Sequence, residues 1–263
     1  MRCKSLRSTS FALVVLALTA PASGQDMMRH LDLTSPDMTS AEMTRAEVEA
    51  MFAAGRTDFS GKRLSGLDLS GLDLSGIVLR AARLNRAKLA GAKLDHAVLD
   101  QAWLLEADFS HASLKNANIF AAQMQRAKLD GADLSGARIA ADLTGASLVG
   151  ALLVGSNLSA DMKNQSMGLM RAVLRSANLS GAKLRHADLS RVDLEFASLA
   201  NADLTGASLR GAALGGANLT AVTVADADFL GADFTSTRLV APIGLEAAKN
   251  FDKALNLERL LRE

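Results

Sequence analysis

A bulky apolar residue returns at every fifth position over long stretches from Phe59 to Leu239, and the residues between are mostly small or polar. In 87–99 the bulky positions, or centres, are Leu89, Leu94 and Leu99, with Ala87, Ala92 and Ala97 two residues before each, so the unit is Ala-x-Leu-x-x. Wound as an α-helix, five residues turn the chain through roughly 500°, and successive leucines would spiral over every face. In extended chain, residues two apart share a side, so Ala and Leu point one way while the residue between them points the other. The remaining two residues must turn a corner, because a straight strand would send the next pair to the wrong face. A chain that bends once per unit closes into a coil, and stacked coils make an all-β solenoid.

The beat has departures. Centres run in fives from Phe59 to Ile139, step by four to Leu143, and continue through Leu148, Leu153 and Leu158. Lys163, Asn164, Gln165, Ser166, Met167 and Gly168 fit no unit, and the frame resumes at Leu169 and runs to Leu239. Those six residues are read as a tolerated insertion or as a recognition loop. In the first coil Thr57, Lys62, Leu67, Leu72 and Ile77 stand where later units carry Ala, which marks a transition layer. Pro21, Pro36 and Pro242 all lie outside the array, as a ladder that needs nearly every N–H requires.

The flanks differ in kind. Residues 1–24 read as a secretory signal: Arg2, Lys4 and Arg7 precede the apolar run 11–20, and Pro21-Ala22-Ser23-Gly24 offers small residues for cleavage. The run is short of the ~20 residues that a spanning helix needs. The protein is therefore expected in the periplasm or outside the cell, with no stable membrane insertion after cleavage. Residues 25–40 read as a linker and 41–56 as an N-terminal capping helix, with capping boxes at Thr39–Glu42 and Thr44–Glu47 and Gly55 as its stop. The solenoid is assigned to 57–241. A C-terminal helical cap is assigned to 242–263, where Leu257, Leu260 and Leu261 fit one helical face. Solenoid ends expose apolar side chains and unpaired strand groups, so both need covering.

Composition narrows the core and the chemistry. Aromatics are only 4%, with no Tyr and one Trp, so the core is aliphatic and thin. Cys3, the only cysteine, lies in the segment to be removed, which leaves no disulfide and no thiolate metal ligand. Without Arg2, Lys4 and Arg7 there are 26 basic and 28 acidic residues, a net charge near −2.

Ala132-Asp133-Leu134-Ser135-Gly136, Ala177-Asn178-Leu179-Ser180-Gly181 and Ala202-Asp203-Leu204-Thr205-Gly206 resemble the Ala-(Asp/Asn)-Leu-x-x unit of the pentapeptide repeat proteins. The resemblance covers about two-thirds of the chain. It implies a right-handed quadrilateral parallel β-helix with four units per twenty-residue coil. On that coil length, Lys88, Asp108 and Lys128 stack as basic, acidic and basic rungs, as do Arg86, Glu106 and Arg126, and Arg80 lies under Asp100.

No catalytic constellation emerges. His96, His111 and His186 fall at corners, and their separations are not multiples of twenty, so they are not expected to line one face. The Asp residues before the centres read as solvated or turn-bonding groups. Nucleophile, phosphate-loop and dinucleotide motifs are missing. Neither cofactor nor metal is called for. Trp103 lies one coil above Arg83, within reach of cation–π stacking, and with Val98, Leu105 and Phe120 it outlines a small apolar patch for a protein partner.

The leading expectation is an exported, non-enzymatic scaffold, structural or protein-binding, with an unidentified protein partner or a second copy of itself. The resemblance also raises DNA mimicry toward a topoisomerase. That activity needs a strongly acidic surface and a cytoplasmic address, whereas 58–239 carries 19 basic and 18 acidic residues behind a signal, so no nucleic-acid role is expected.

Overall fold

The structure is a computed structural model and describes residues 32–161 and 170–263. These belong to one compact unit, Asp32–Glu263. The signal assigned to 1–24 lies outside the described residues. No described helix is long and apolar enough to cross a membrane.

Four ladders of parallel bridges run along the unit. The first passes through Asp58, Val78, Val98, Asn118 and Arg138, the second through Arg63, Arg83, Trp103 and Gln123, the third through Asp68, Lys88, Asp108 and Lys128, and the fourth through Asp73, Lys93, Ser113 and Asp133. Partners here are twenty residues apart, so the coil length holds. The first ladder continues to Lys249, ten rungs in all; at ~4.8 Å per rung it is roughly 43 Å long. Inward-pointing centres and the residues two before them are almost all fully buried and make one continuous aliphatic core.

Ala107-Asp108-Phe109-Ser110-His111 shows why the unit has this composition. The Ala107 N–H closes the preceding corner on Leu104 O (3.1 Å), the Asp108 N–H reaches Ala87 O in the coil below (2.9 Å), and the N–H groups of Phe109 and His111 reach Lys128 O and Asp130 O in the coil above (2.7 and 2.9 Å). Four of five donors are thus paired by backbone. The fifth, Ser110 N–H, donates to the Asp108 carboxylate at 2.9 Å. The same Asx bond recurs at Asp133, Asn178, Asp203 and Asn218. Asp and Asn therefore precede the centre because their side chains satisfy the donor that the coil leaves over. A second solution places the acceptor one coil below: Leu105 N–H donates to Asn85 and Val149 N–H to Asp130. The corner residue, second after the centre, has positive φ in the regular units, +59° at His111 and +65° at Gly131, but not at Ala141 or Ala160 where the beat departs.

At the N-terminal end, α1 (Pro36–Thr39) and α2 (Arg45–Ala53) precede the first coil. Thr44 and Glu47 form the capping box, and Gly55 N–H to Phe52 O with Arg56 N–H to Met51 O closes a Schellman motif. The Thr39 box does not form. Ala41 bridges Leu64 instead, so the helix starts at Arg45 and not at 41, and the linker assigned to 25–40 ends in ordered chain with Met38 buried. Val48 is fully buried in the core cluster, and Met51, Phe52, Leu67 and Leu72 pack against it. The first coil therefore carries leucines where later coils carry alanines.

β1 (Asn118–Gln123) pairs with β2 (Arg138–Asp142) in the next coil, and the dropped residue falls at the corner within β2. Asn118 pairs with Arg138 but Gln123 with Asp142, a coil of nineteen. The next is much longer: Asp142 bridges Val173 and Ser147 bridges Asn178, thirty-one residues on. The insertion thus adds eleven residues to a twenty-residue coil, more than the six of the 163–168 reading, and the ladder resumes at Val173. Its ends are tied by Asp161 N–H to Met170 O (2.7 Å).

The C-terminal helical cap assigned to 242–263 does not form. The chain makes another coil, with bridges at Ile243, Lys249, Leu255 and Leu261 and 3-10 turns at Leu245–Ala247, Phe251–Lys253 and Leu257–Arg259. Its unit has six residues. Gly244, Asn250 and Asn256, each just after or before a turn of direction, take left-handed conformations that send Leu245, Phe251 and Leu257 back toward the core. Phe251 packs edge-on to Phe229 and Phe234, with centroids at 5.8 and 5.4 Å.

Candidate functional site

Outward side chains are tied to one another along most of the rod. Glu106 accepts from Arg86 at 2.9 Å and lies 3.5 Å from Arg126, Arg80 lies 3.6 Å from Asp100, and Asp108 occupies the rung between Lys88 and Lys128, although the Lys88 ammonium pairs with Asp68 below it at 3.8 Å. The charge stacking expected from the sequence is present. The Arg86 hydrogen bond, with the charges of Arg86 and Arg126, outweighs slight burial and holds the Glu106 carboxyl below its ordinary value. Such exposed pairs contribute ~0–1 kcal/mol each and orient side chains more than they stabilise the fold.

The predicted patch is divided among ladders. Val98 stands on the first ladder and Trp103 on the second, half-buried between Arg83 below and Gln123 above. Leu105 lies at the corner after Trp103, between the second and third ladders, whereas Phe120 lies one coil up at the preceding corner, between the first and second ladders and above Asp100. Trp103 is therefore over Arg83 as expected, but the cation–π contact is made elsewhere: the Arg138 guanidinium sits 4.7 Å from the Phe120 ring centroid.

The other predicted loop, Lys163, Asn164, Gln165, Ser166, Met167 and Gly168, lies outside the described residues. What can be described is its mounting. Arg138 pairs with Asp161 at 3.2 Å on one side, and on the other Arg171 and Arg175 both hold Asp193 (3.3 and 2.9 Å), whose side chain is 4% exposed. Arg175 also pairs with Glu195 at 2.8 Å. Hydrogen bonding to Asp193 outweighs burial and raises the Arg175 guanidinium further. This cluster anchors the first complete coil after the insertion.

His96 and His186 share a corner column after the fourth ladder, contrary to the sequence expectation, because coils of nineteen and thirty-one residues intervene. They remain four rungs, ~19 Å, apart. Among the described residues, no group of histidines and carboxylates could hold a metal ion. The Asp side chains before the centres are spent on corner N–H groups, as expected. A shallow depression lined by Ser190, Arg191, Arg210, Gly211 and Leu230 contains Arg210 already paired with Asp228 at 2.8 Å.

One surface feature escaped the sequence reading. Val149, Leu152 and Val154 occupy outward positions of two adjoining units, either side of the Gly150 corner, and are 40, 38 and 41% exposed. Leu152 bridges Asp133 below and Lys183 above. Listing only outward positions would have exposed this row, because the five-residue beat draws the eye to Leu148 and Leu153 beside it.

Comparison with known proteins matches eight copies of pentapeptide repeats within residues 63–159 and 169–223. Among solved structures, the chain is similar to HetL, a pentapeptide repeat protein involved in heterocyst differentiation regulation from the cyanobacterium Nostoc sp. strain PCC 7120: identity is 27%, coverage 84% of this chain and 100% of that one, TM-score 0.45. It is also similar to QnrB1, a plasmid-mediated fluoroquinolone resistance protein, at 20% identity over 78% of this chain and 81% of that one, TM-score 0.38. A further pentapeptide repeat protein from Nostoc PCC 7120, alr5209, shares 30% identity over 57% of this chain and 80% of that one, TM-score 0.23. The comparison with curated proteins returns no match. With repeats matched over more than half its length and ladders every five residues, the chain belongs to the pentapeptide repeat family, whose members fold as right-handed β-helices.

Proposed function

We propose that this protein is an exported, non-enzymatic scaffold, a quadrilateral coil that presents a protein-binding surface in the periplasm or outside the cell. Pentapeptide repeat proteins are in general structural or interaction proteins. The observation that carries the reading is the state of the outward side chains. Asp and Asn are taken up by corner N–H groups and many basic residues by stacked acids, which leaves recognition to the few large apolar side chains that break the pattern. Trp103, half-buried at an outward rung, is the foremost of these. Aromatic side chains with a rigid backing serve as anchors in protein interfaces. The mounted insertion at 163–168 is the second place where a partner would be read.

The test is cross-linking in the envelope fraction followed by capture of the tagged protein. A partner recovered with the native chain and lost with Trp103→Ala, in protein whose mature N-terminus begins near residue 25, supports the reading. An N-terminus retaining Met1 in exported protein removes the signal assignment, and a partner set unchanged by Trp103→Ala removes the binding surface.

A further inference from the structure

The row of Val149, Leu152 and Val154 spans the full width of the fourth ladder, from one corner to the next. The rung below carries Asp130 and Asp133, and the rung above Lys183 and Arg185, both exposed. An apolar line thus divides an acidic rung from a basic one.

That arrangement is complementary to itself under one symmetry operation. A two-fold axis laid along the apolar row inverts the rod of the second copy and leaves positions along the row unchanged. Each Leu152 then meets its own counterpart, and Lys183 meets Asp133 of the other copy twice over. On the next rungs Asp203 meets Ser113, and beyond them Thr223 meets Lys93, so no like charges oppose each other. A two-fold axis parallel to the rod does the reverse. It sets Lys183 against Lys183, Asp133 against Asp133 and Asp203 against Asp203, and like-charge contacts of this kind cost affinity.

The geometry points to a lateral, antiparallel homodimer, formed by the fourth ladders of two copies and centred on Leu152. The occupant of the row is a second copy because the charge order above and below it matches its own inverse. Asp133 keeps its own Lys115 at 3.3 Å and gains the other copy's Lys183, which gives a charge network in place of an isolated pair. A ladder face ~10 Å wide and ~40 Å long supplies roughly 400 Å² per copy, about half of a standard interface, so the dimer is weak and concentration-dependent.

Sedimentation equilibrium of the full-length protein over a wide concentration range tests the association, and single-cysteine variants in a Cys3→Ser background test its direction. Dimerisation that weakens at least tenfold in Leu152→Glu, with an unchanged circular dichroism spectrum, is the expected result. Under oxidation, mixed Lys183→Cys and Asp133→Cys proteins should give the mixed disulfide in preference to either homodimer. A protein that stays monomeric at all concentrations overturns the proposal. So does a dimer indifferent to Leu152→Glu, or one in which Lys183→Cys cross-links to itself. If Leu152→Glu fails to fold, Val154→Lys on the corner provides the same readout. A different protein that binds the row while the chain itself stays monomeric also overturns it.

Discussion

A single leftover donor explains most of the residue choices in this chain. Backbone geometry pairs four N–H groups per unit, and Asp or Asn before the centre takes the fifth, so the Asp-Leu-Ser and Asn-Leu-Thr strings express hydrogen-bond necessity rather than acid chemistry. The corner imposes the other constraint. Gly131 has φ +65°, and a Cβ built there would come 2.6 Å from Nδ1 of His111, whose ring folds over it from the coil below. Gly131→Ala should therefore lower stability by about 1–2 kcal/mol in urea denaturation, from a left-handed backbone and a displaced ring together. Adding His111→Ala should recover only the part due to the ring. Periodicity alone placed the corners, since Gly recurs there, but not the ring packing, because a histidine and a glycine twenty residues apart carry no joint signal in one sequence.

At the scale of elements, the two ends were legible to different degrees. The Thr44–Glu47 box and Gly55 located α2, because caps are local signals. The C-terminal coil was misassigned because Leu257, Leu260 and Leu261 satisfy a helical spacing, whereas Leu245, Phe251 and Leu257 recur every six residues and identify the coil. Asn250 and Asn256 also mark it, being tolerant of left-handed backbone, and each donates from its side-chain amide to an Asp of the coil below: Asn250 to Asp228 at 2.8 Å and Asn256 to Asp233 at 2.7 Å. Burial pushes both carboxyls up. The amides, the Leu230 N–H and Arg210 at Asp228, and the Thr235 groups at Asp233 more than offset it, and both end below the ordinary carboxylate value. A carboxyl depressed in the folded state stabilises it fully above an unfolded value of about 4 and loses that contribution as pH falls through the folded value. The melting temperature is thus expected to drop between pH 6 and pH 3. Asn250→Ala with Asn256→Ala should start lower at pH 6 and fall less, and equal slopes for the two proteins would contradict this account.

For the whole molecule, stability is a sum over neighbouring coils. Leu104 is fully buried among centres of the coils on either side, and Leu104→Ala should cost about 2–5 kcal/mol in denaturation. Hydrogen exchange should show the loss concentrated in amides near 84, 104 and 124, with the terminal coils less affected. The rod and its core were readable from one period and its handedness from the family resemblance, while the surface row at Val149, Leu152 and Val154 carries no rhythm and shows only when the outward positions are taken apart from the centres.

Across the four ladders neighbouring rungs are twenty, nineteen or thirty-one residues apart, and twenty to twenty-three at the C-terminal end, yet each turn still bridges its neighbours. Contour length and axial advance are therefore independent quantities in this architecture. A foreign peptide spliced between Asp161 and Met170, whose backbones already meet, should be displayed at a fixed height and azimuth on the rod without altering the rungs that carry it, which makes that corner a natural graft point.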